Sequence, residues 1–565
     1  MHLPIGISDF RKLVTEKTPS TGGYLFIDKT SFIEEILDDL TEVIVITRPR
    51  RFGKTLNLSM LQYFYAATVD GQATKDLFDG LEISKHTECM QQQGKYPVIF
   101  ISFKDVKQPT FELCLRKIKA VIAETYRKYR TELFSDRIAK DDRLYIDSIL
   151  QQKSDRIDIE DSIKRLLVLL CQYYNKKPIL LIDEYDTPIQ EAYLRGYYSE
   201  LMPFFRNFLS GPLKDDALLK RAILTGILRI SKESLFSGIS NIKIHSVSSD
   251  KYSNHFGFTE NEVNLLLNKA KLPAALKQAK DWYNGYNFGG TTIYNPWSII
   301  EFIFEKGKLR PYWVNTSDNE LIKQLIINSG AEIKDKIAIL IAGKSIKEIV
   351  DEHIVFGDLD TNPSALWNLF LMSGYLKAIS INTGKNNEDN EEYELSIPNK
   401  EIDWLYRKII REWLSGARGL NWYREFLSDL ANGKVAAFEE KLQTLIIGTL
   451  SCHDVTTTTQ EAFYHGLMLG FISGLKETHE IKSNKESGKG FYDVAIIPKD
   501  IAKIGIIMEF KATDEENKLD NEAKIALEQI NRSNYVAELN QRGITNICKM
   551  GIAFARKAVR IATEE

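Results

Sequence analysis

Four continuous apolar runs stand out in the first half of the chain: EVIVIT (Glu42–Thr47), YPVIFISF (Tyr96–Phe103), KPILLIDEYD (Lys177–Asp186) and RAILTGIL (Arg221–Leu228). A run without polar alternation is what a strand buried on both faces of a parallel sheet requires. Between the runs, apolar residues recur at helical spacing, as in LNLSMLQYFYAA (Leu56–Ala67) and in the long charged stretch that ends near Tyr174. Strands alternating with helices over roughly the first 250 residues predict an α/β sheet with its chemistry at the carboxyl ends of the strands. Tyr24–Leu37, YLFIDKTSFIEEIL, predicts a short strand turning into an amphipathic helix.

From Phe258 onward helical patterns dominate. ALWNLFLMSGYLKAISI (Ala365–Ile381) predicts a helix, a glycine turn and a strand, with YELSIPN (Tyr393–Asn399) as hairpin partner across the polar, acidic tip NTGKNNEDNEE. Helix plus hairpin resembles a winged-helix module. More helix follows to Leu450, and SCHDVTTTTQ (Ser451–Gln460), polar and non-periodic, marks a boundary. The remainder predicts a compact α/β unit: helix Glu461–Leu475, strands Tyr492–Ile497 and Ile504–Phe510, helix Asn521–Ile530 and strand Ile547–Ala555. There are no internal repeats.

At 565 residues the chain is too long for one core, and two to four domains are expected. A net charge of −3 announces no nucleic-acid partner globally, so any such surface is local. Five scattered cysteines without a CxxC pair argue against a zinc site or a disulfide framework and suit a reducing cytoplasm. The opening MHLPIGISDF has no apolar signal region, and no window approaches a membrane span, so a soluble intracellular protein is expected.

Within VIVITRPRRFGKTLNLSM, the triplet Gly53-Lys54-Thr55 closes a phosphate-loop pattern, but Arg48 stands where the first consensus glycine falls. Such a loop surrounds an anion with backbone N–H groups and a helix N-terminus; the lysine reaches the outer phosphates and the hydroxyl binds Mg²⁺. The triplet alone is weak. Ile179–Ile182 followed by Asp183 and Glu184 strengthens it, because an Asp can orient a Mg²⁺ shell and the next Glu can polarise water. Thr225, ending another apolar strand, is placed to sense the γ-phosphate; Arg229 could complete the charge shell or be a surface arginine. Arg48, Arg50 and Arg51 are expected around the anion, with arginine forks suited to phosphate oxygens.

The strings LPIGISDF, FIDKT, RPRRFGKT, LIDEYD, TGILRISKESLFSGISNI, FGFTENEV, WYNGYNFGGTTIYNPWS and YWVNTSDN together resemble the AAA-ATPase-like family of bacterial and archaeal proteins. In that family RPRRFGKT is the usual loop, so the resemblance implies ATP binding with Mg²⁺ by a variant loop. It does not establish turnover. The division it implies is an AAA-like P-loop domain at 1–257, a helical and winged-helix-like region at 258–450, and a nuclease-like domain at 451–565.

The last of these rests on SNKESGKGFYDVAIIPKDIAKIGIIMEFKA (Ser483–Ala512). Asp493 begins one strand; Glu509 and Lys511 end the next, and residues two apart share a face. Two carboxylates make a hard-oxygen site for Mg²⁺ or Mn²⁺, and the lysine can orient water beside a scissile phosphate. The pattern resembles the PD-(D/E)XK nuclease core, which in that family follows the ATPase. The resemblance adds Glu461, on the preceding helix, as a further acid and Gln529, on the following helix, as a supporting glutamine. The motif's proline is absent, with Tyr492 before Asp493. His465 and Glu486 are weaker candidates, His465 equally explained by helix packing. Lys482, Lys485, Lys489, Lys499 and Lys503 surround the site as a solvated face or as phosphate contacts.

The leading expectation is an ATPase module controlling a metal-dependent nuclease acting on DNA or RNA, in genome defence or mobile-element biology. The alternative is a nucleotide-switched nucleic-acid-binding or signalling protein that does not cut. A helicase is disfavoured by the lack of paired helicase motifs. A homo-oligomer is allowed, without a stoichiometry.

Overall fold

The computed structural model describes residues 2–18, 22–214, 217–229, 241–314, 319–329, 331–341, 343–352, 356–359, 362–382, 391–415, 419–449, 460–472, 474–475, 478–487 and 490–564. The chain divides into two compact units, one of residues 1–317, 348–393 and 398–401, the other of 318–347, 394–397 and 402–565. Residues 258–450 are thus shared between the two units. The expected boundary at 451–459 lies outside the described residues.

The first unit is built on five parallel strands: β1 (Val43–Thr47), β2 (Val98–Ser102), β3 (Ile179–Asp183), β4 (Arg221–Gly226) and β5 (Ile242–His245), in the order β2-β3-β4-β1-β5. Every residue of β1 and of β3 is buried, which is why their sequences carry no polar alternation. The register sets Asp183 beside Thr225, Thr225 beside Ile46, and Gly226 beside Thr47. The end of β3, the end of β4 and the loop after β1 therefore meet at one edge. That loop feeds helix α1 (Lys54–Tyr65) through Gly53, whose φ of 86° is a conformation that disfavours a side chain.

Of Tyr24–Leu37, the helix forms (Ser31–Asp38) but the strand does not: Tyr24 makes an isolated bridge to His2. Leu25 instead packs into a separate apolar cluster with Val263, Leu266, Tyr283, Ile299 and Phe302, so its burial is met by helices rather than by a sheet. Helix Glu260–Lys269 starts at a capping box between Thr259 and Glu262, the feature behind the FTENEV string. Further on, helix Pro363–Met372, Gly374 at a φ of 85° and strand Lys377–Asn382 match the expected helix, turn and strand. Strand Glu392–Ser396 forms as well, while the tip at 383–390 lies outside the described residues.

The second unit holds helix α2 (Ala331–Ile341), helix α3 (Gln460–Ile472) and a five-stranded sheet of β6 (His479–Ser487), β7 (Gly490–Pro498), β8 (Gly505–Ala512), β9 (Ile547–Ala555) and β10 (Ala558–Thr563), in sequence order. Pairs β6–β7, β7–β8 and β9–β10 are antiparallel, while β8–β9 is parallel and bridged by helix α4 (Leu519–Arg532). Helix α4 lies directly on the sheet at Gly551, where a Cβ would meet the Ala523 carbonyl oxygen at 2.2 Å and the Leu527 nitrogen at 2.4 Å. Gly551 stands beside Glu509 in the ladder, so this close approach sets how near α4 comes to the acid.

Candidate functional site

The loop after β1 is held by side chains rather than left to glycine freedom. Arg48 is fully buried, and its Nη1 donates to the carbonyl oxygens of Thr47, His245 and Ser246 at 2.8, 3.0 and 2.6 Å. Its guanidinium also lies over the rings of Phe256 and Phe288. The expectation that Arg48 surrounds the anion is therefore corrected: three backbone acceptors fix it inside the unit. Phe52 is likewise buried, against Tyr286 and Phe288. Pro49 rests against Gly374, whose added Cβ would come within 3.0 Å of the proline ring, and the Arg50 carbonyl accepts from the Trp313 indole at 3.0 Å.

Arg50 reaches Gln190 Oε1 at 3.3 Å, and Arg51, at a φ of 68°, lies with its guanidinium 4.4 Å over the Trp297 ring. Lys54 is buried, donating to the Arg48 and Pro49 carbonyl oxygens at 2.9 Å each. Burial lowers its pKa, opposed by the carboxylates of Glu184, Asp186 and Asp183. Thr55 Oγ1 donates to Asp183 Oδ2 and Thr225 Oγ1 to Asp183 Oδ1, both at 2.8 Å. Asp183 is fully buried, and burial pushes its carboxyl up. The structure brings Gly53, Lys54, Thr55, Asp183 and Thr225 together.

Glu184 follows with a φ of 52°, a left-handed conformation unusual for a residue with a Cβ, and accepts from Thr187 Oγ1 at 3.2 Å. Arg229 pairs with Glu352 at 3.5 Å, and Glu352 also accepts from Tyr393 Oη. Sequence reasoning missed Asp186. It is buried, and its Oδ2 accepts from the Ile227 and Leu228 N–H groups at 2.8 and 3.0 Å, tying the exit of β4 to that of β3. A Cβ at Gly226 would fall 2.7 Å from Asp186 Oδ1, so that glycine leaves room for the tie.

In the second unit, the register Val494–Met508 continues to place Asp493 opposite Glu509. The ladder opens at this end, and carboxylates take over its hydrogen bonds. The Phe510 N–H donates to Asp493 Oδ2 at 2.8 Å, and the Asp493 N–H to Glu509 Oε2 at 3.4 Å. Gln529, carried by α4, donates to Glu509 Oε1, and Lys511 Nζ lies 3.9 Å from the same oxygen. Glu509 is pushed up to about 8, first by burial and then by Asp493, with Lys511 opposing. Asp493 and Glu461 are raised mainly by burial; Lys511 opposes both shifts, and Asp493 adds to that of Glu461. Asp493, Glu509, Lys511 and Gln529 converge, with Glu461 in their electrostatic field.

His465 is buried within 3.1 Å of the Asp493 carbonyl oxygen and 2.9 Å of Ser483 Oγ, and burial lowers it to about 4. It packs α3 onto the strand carrying Asp493. Lys482 is turned away, paired with Glu538. The side chains of Lys485, Glu486 and Lys489 lie outside the described residues.

Residues 4–236 match the family model AAA-ATPase_like, described as "Predicted AAA-ATPase". Residues 459–564 match the model described as "PD-(D/E)XK nuclease superfamily". The chain carries an AAA-ATPase-like region and then a PD-(D/E)XK-like region. A protein of Azotobacter chroococcum mcd 1, named "Uncharacterized protein in vnfD 5'region", is 29% identical over 338 residues, 57% of this chain. The match spans 56% of that protein's own length. The solved structure titled "Structure of the Aeropyrum Pernix ORC2 protein (ADPNP-ADP complexes)" aligns at 11% identity over 71% of this chain and 98% of its own, with a TM-score of 0.22. Agreement at that level supports no further comparison.

Regions of these two kinds generally use a nucleotide and a divalent metal. Among the described residues, no three His, Cys, Asp or Glu side chains cluster as a ready-made metal cage. The donors fit Mg²⁺ nonetheless, since it takes one or two carboxylates together with water and phosphate oxygens. Thr55 with Asp183 in the ATPase-like region, and Asp493 with Glu509 in the nuclease-like region, are all-oxygen sets whose buried carboxyls a cation would keep charged. No helix among the described residues is long and apolar enough to cross a membrane.

Lys344, which no motif signals, belongs to the electrostatic surroundings of Asp493, Glu461 and His465. It follows the end of α2, which packs on α3, and it lies outside the matched nuclease-like region.

Glu401, also unsignalled, is fully buried behind the phosphate loop. It accepts from Ser298 Oγ at 2.8 Å and from the Trp313 N–H at 2.6 Å, and burial pushes it up to about 8. A carboxyl raised by folding keeps its proton in the native state. Stability is therefore greatest below the unfolded value near 4.5 and falls as pH rises toward 8. The loss is about 1.4 kcal/mol for each pH unit crossed. Thermal midpoints measured from pH 5 to 8 are expected to decline, and Glu401→Gln to flatten the decline; an equal slope in both proteins removes this role.

Proposed function

We propose that this chain binds and hydrolyses ATP at the loop of Gly53, Lys54 and Thr55, and that its nuclease-like region cleaves DNA or RNA under control of the nucleotide state. The observation that carries the reading is the convergence of Asp493, Glu509, Lys511 and Gln529 where the β7–β8 ladder opens. When bound, a divalent ion would neutralise phosphate charge and activate water. Asp493 and Glu509 would hold it, Lys511 would orient the attacking water, and Gln529 fixes the Glu509 rotamer. In the ATPase-like region Asp183 and Thr55 would hold Mg²⁺, Lys54 would turn from two carbonyls to the phosphates, and Glu184 would polarise water.

A second reading, binding without cleavage, is favoured by the setting of Glu509, where burial and the neighbouring Asp493 both raise its carboxyl and so favour the protonated form over a metal-binding carboxylate. Full-length protein incubated with mixed DNA and RNA, with and without ATP and with Mg²⁺ or Mn²⁺, separates the two. Strand cleavage that changes with ATP supports the proposal, whereas binding alone supports the second reading. Lys54→Ala tests the nucleotide half: losing a charge-assisted hydrogen bond of about 1.5–3 kcal/mol should weaken ATP binding about 10- to 150-fold in calorimetry. Unchanged affinity moves the site elsewhere.

A further inference from the structure

The amino-terminal edge of the parallel sheet has a charge pattern that the nucleotide site does not use. Three neighbouring strands are each preceded by lysine: Lys95-Tyr96-Pro97 before β2, Lys176-Lys177-Pro178 before β3, and Lys220 immediately before β4. The register pairs Val98 with Ile179 and Ile179 with Arg221, so these segments lie side by side. Backbone bonds hold them in place: the Ile179 N–H donates to the Pro97 carbonyl and the Lys220 N–H to the Pro178 carbonyl, both at 2.9 Å. Lys176 Nζ donates to the Lys95 carbonyl at 3.0 Å, and Lys220 Nζ lies 5.9 Å from the Tyr96 ring centre.

The four lysines are exposed and line one cleft of about 400 Å³ together with Tyr96 and Gln92. Among the described residues lining it there is no carboxylate. Carboxylates begin in the adjoining cavity, where Asp38 and Glu88 take part, so the cleft is basic by position and not merely by composition. The chain as a whole is acidic by three charges, which makes the concentration local.

We infer that this cleft binds the phosphate backbone of a nucleic-acid strand, at a site separate from the nuclease-like centre. Adjacent strands are about 4.8 Å apart, so three of them set cations along a row of about 10 Å. Phosphates rise about 3.4 Å apart along a duplex axis and lie about twice as far apart along the strand itself, so such a row spans about two of them. Each neutralised phosphate releases counterions, which makes the contribution readable as a salt dependence. The inference rests on the reading of this chain as one that acts on nucleic acid.

The test is fluorescence anisotropy of the full chain with a labelled single strand, DNA and RNA in separate arms. It is run without divalent ions from 50 to 300 mM salt, for wild type and for Lys95→Gln/Lys177→Gln/Lys220→Gln. Removing the row should weaken binding at least about tenfold at low salt and reduce the log–log salt slope by about 1.4, at about 0.7 for each of two phosphates. ATP affinity, equal in the two proteins, verifies that the variant is folded; if it is not equal, single Lys→Gln variants should each lower the slope, by at most about 0.7. Affinity and slope unchanged in the variants overturn the cleft and leave the nuclease reading standing. Lysine-dependent binding with no cleavage by wild type in Mg²⁺ or Mn²⁺ overturns the nuclease reading and leaves the cleft.

Discussion

Glu509→Gln is expected to lower strand cleavage by about 10³-fold or more while nucleic-acid binding persists. Loss of a charged metal ligand removes several kcal/mol of transition-state stabilisation, and each 1.4 kcal/mol is about tenfold in rate. Glutamine suits the test because Glu509 has a second task, accepting the Asp493 N–H where the ladder opens. An amide oxygen keeps that acceptor, whereas alanine would leave a buried donor unpaired at a cost of about 1–3 kcal/mol and confuse damage with chemistry. The measurement is single-turnover cleavage in Mg²⁺ and in Mn²⁺, with anisotropy on the same samples. Cleavage at the wild-type rate would take Glu509 out of the chemistry and with it the nuclease reading.

Glu184→Gln is expected to slow ATP hydrolysis about 10²- to 10⁴-fold with little change in ATP affinity. Glu184 is the one acid at the carboxyl edge of β3 that bends left-handed, while its neighbours Asp183 and Asp186 are committed to buried hydroxyl and backbone donors. Its own side-chain donor is Thr187 Oγ1 at 3.2 Å. Phosphate release at steady state, beside calorimetry on the same protein, checks both halves. Turnover equal to wild type would make Glu184 a structural residue, and a matching loss of affinity would make it part of the binding shell.

Both sites were legible because each acid abuts an apolar run. ILLID and IGIIMEF declare buried strands by composition, so the carboxylates they carry had to be held by inner strands of a sheet. Two of the edge strands, β6 and β5, escaped notice for the opposite reason. Residues His479–Ser487 read HEIKSNKES, with almost nothing apolar, and form β6 by pairing with β7. Strand β5, IKIH, is four residues long and half polar. Arg48 misled because a charged residue in a loop is ordinarily solvated, and only the fold supplies three carbonyls and two rings to bury it. Lys344 and Glu401 gave no signal, since their neighbours come from distant segments.

Arg48 also bears on how this loop relates to those that begin with glycine. Its guanidinium is bound by the carbonyls of the last residue of β5 and of the residue after it, so the arginine belongs to the architecture of the unit as much as to the loop. Substituting glycine would strip three acceptors of their donor and open a void beneath Phe256 and Phe288, without loosening the anchor at Phe52. Exchanging the arginine for glycine therefore reaches the packing of the whole unit and not the loop alone.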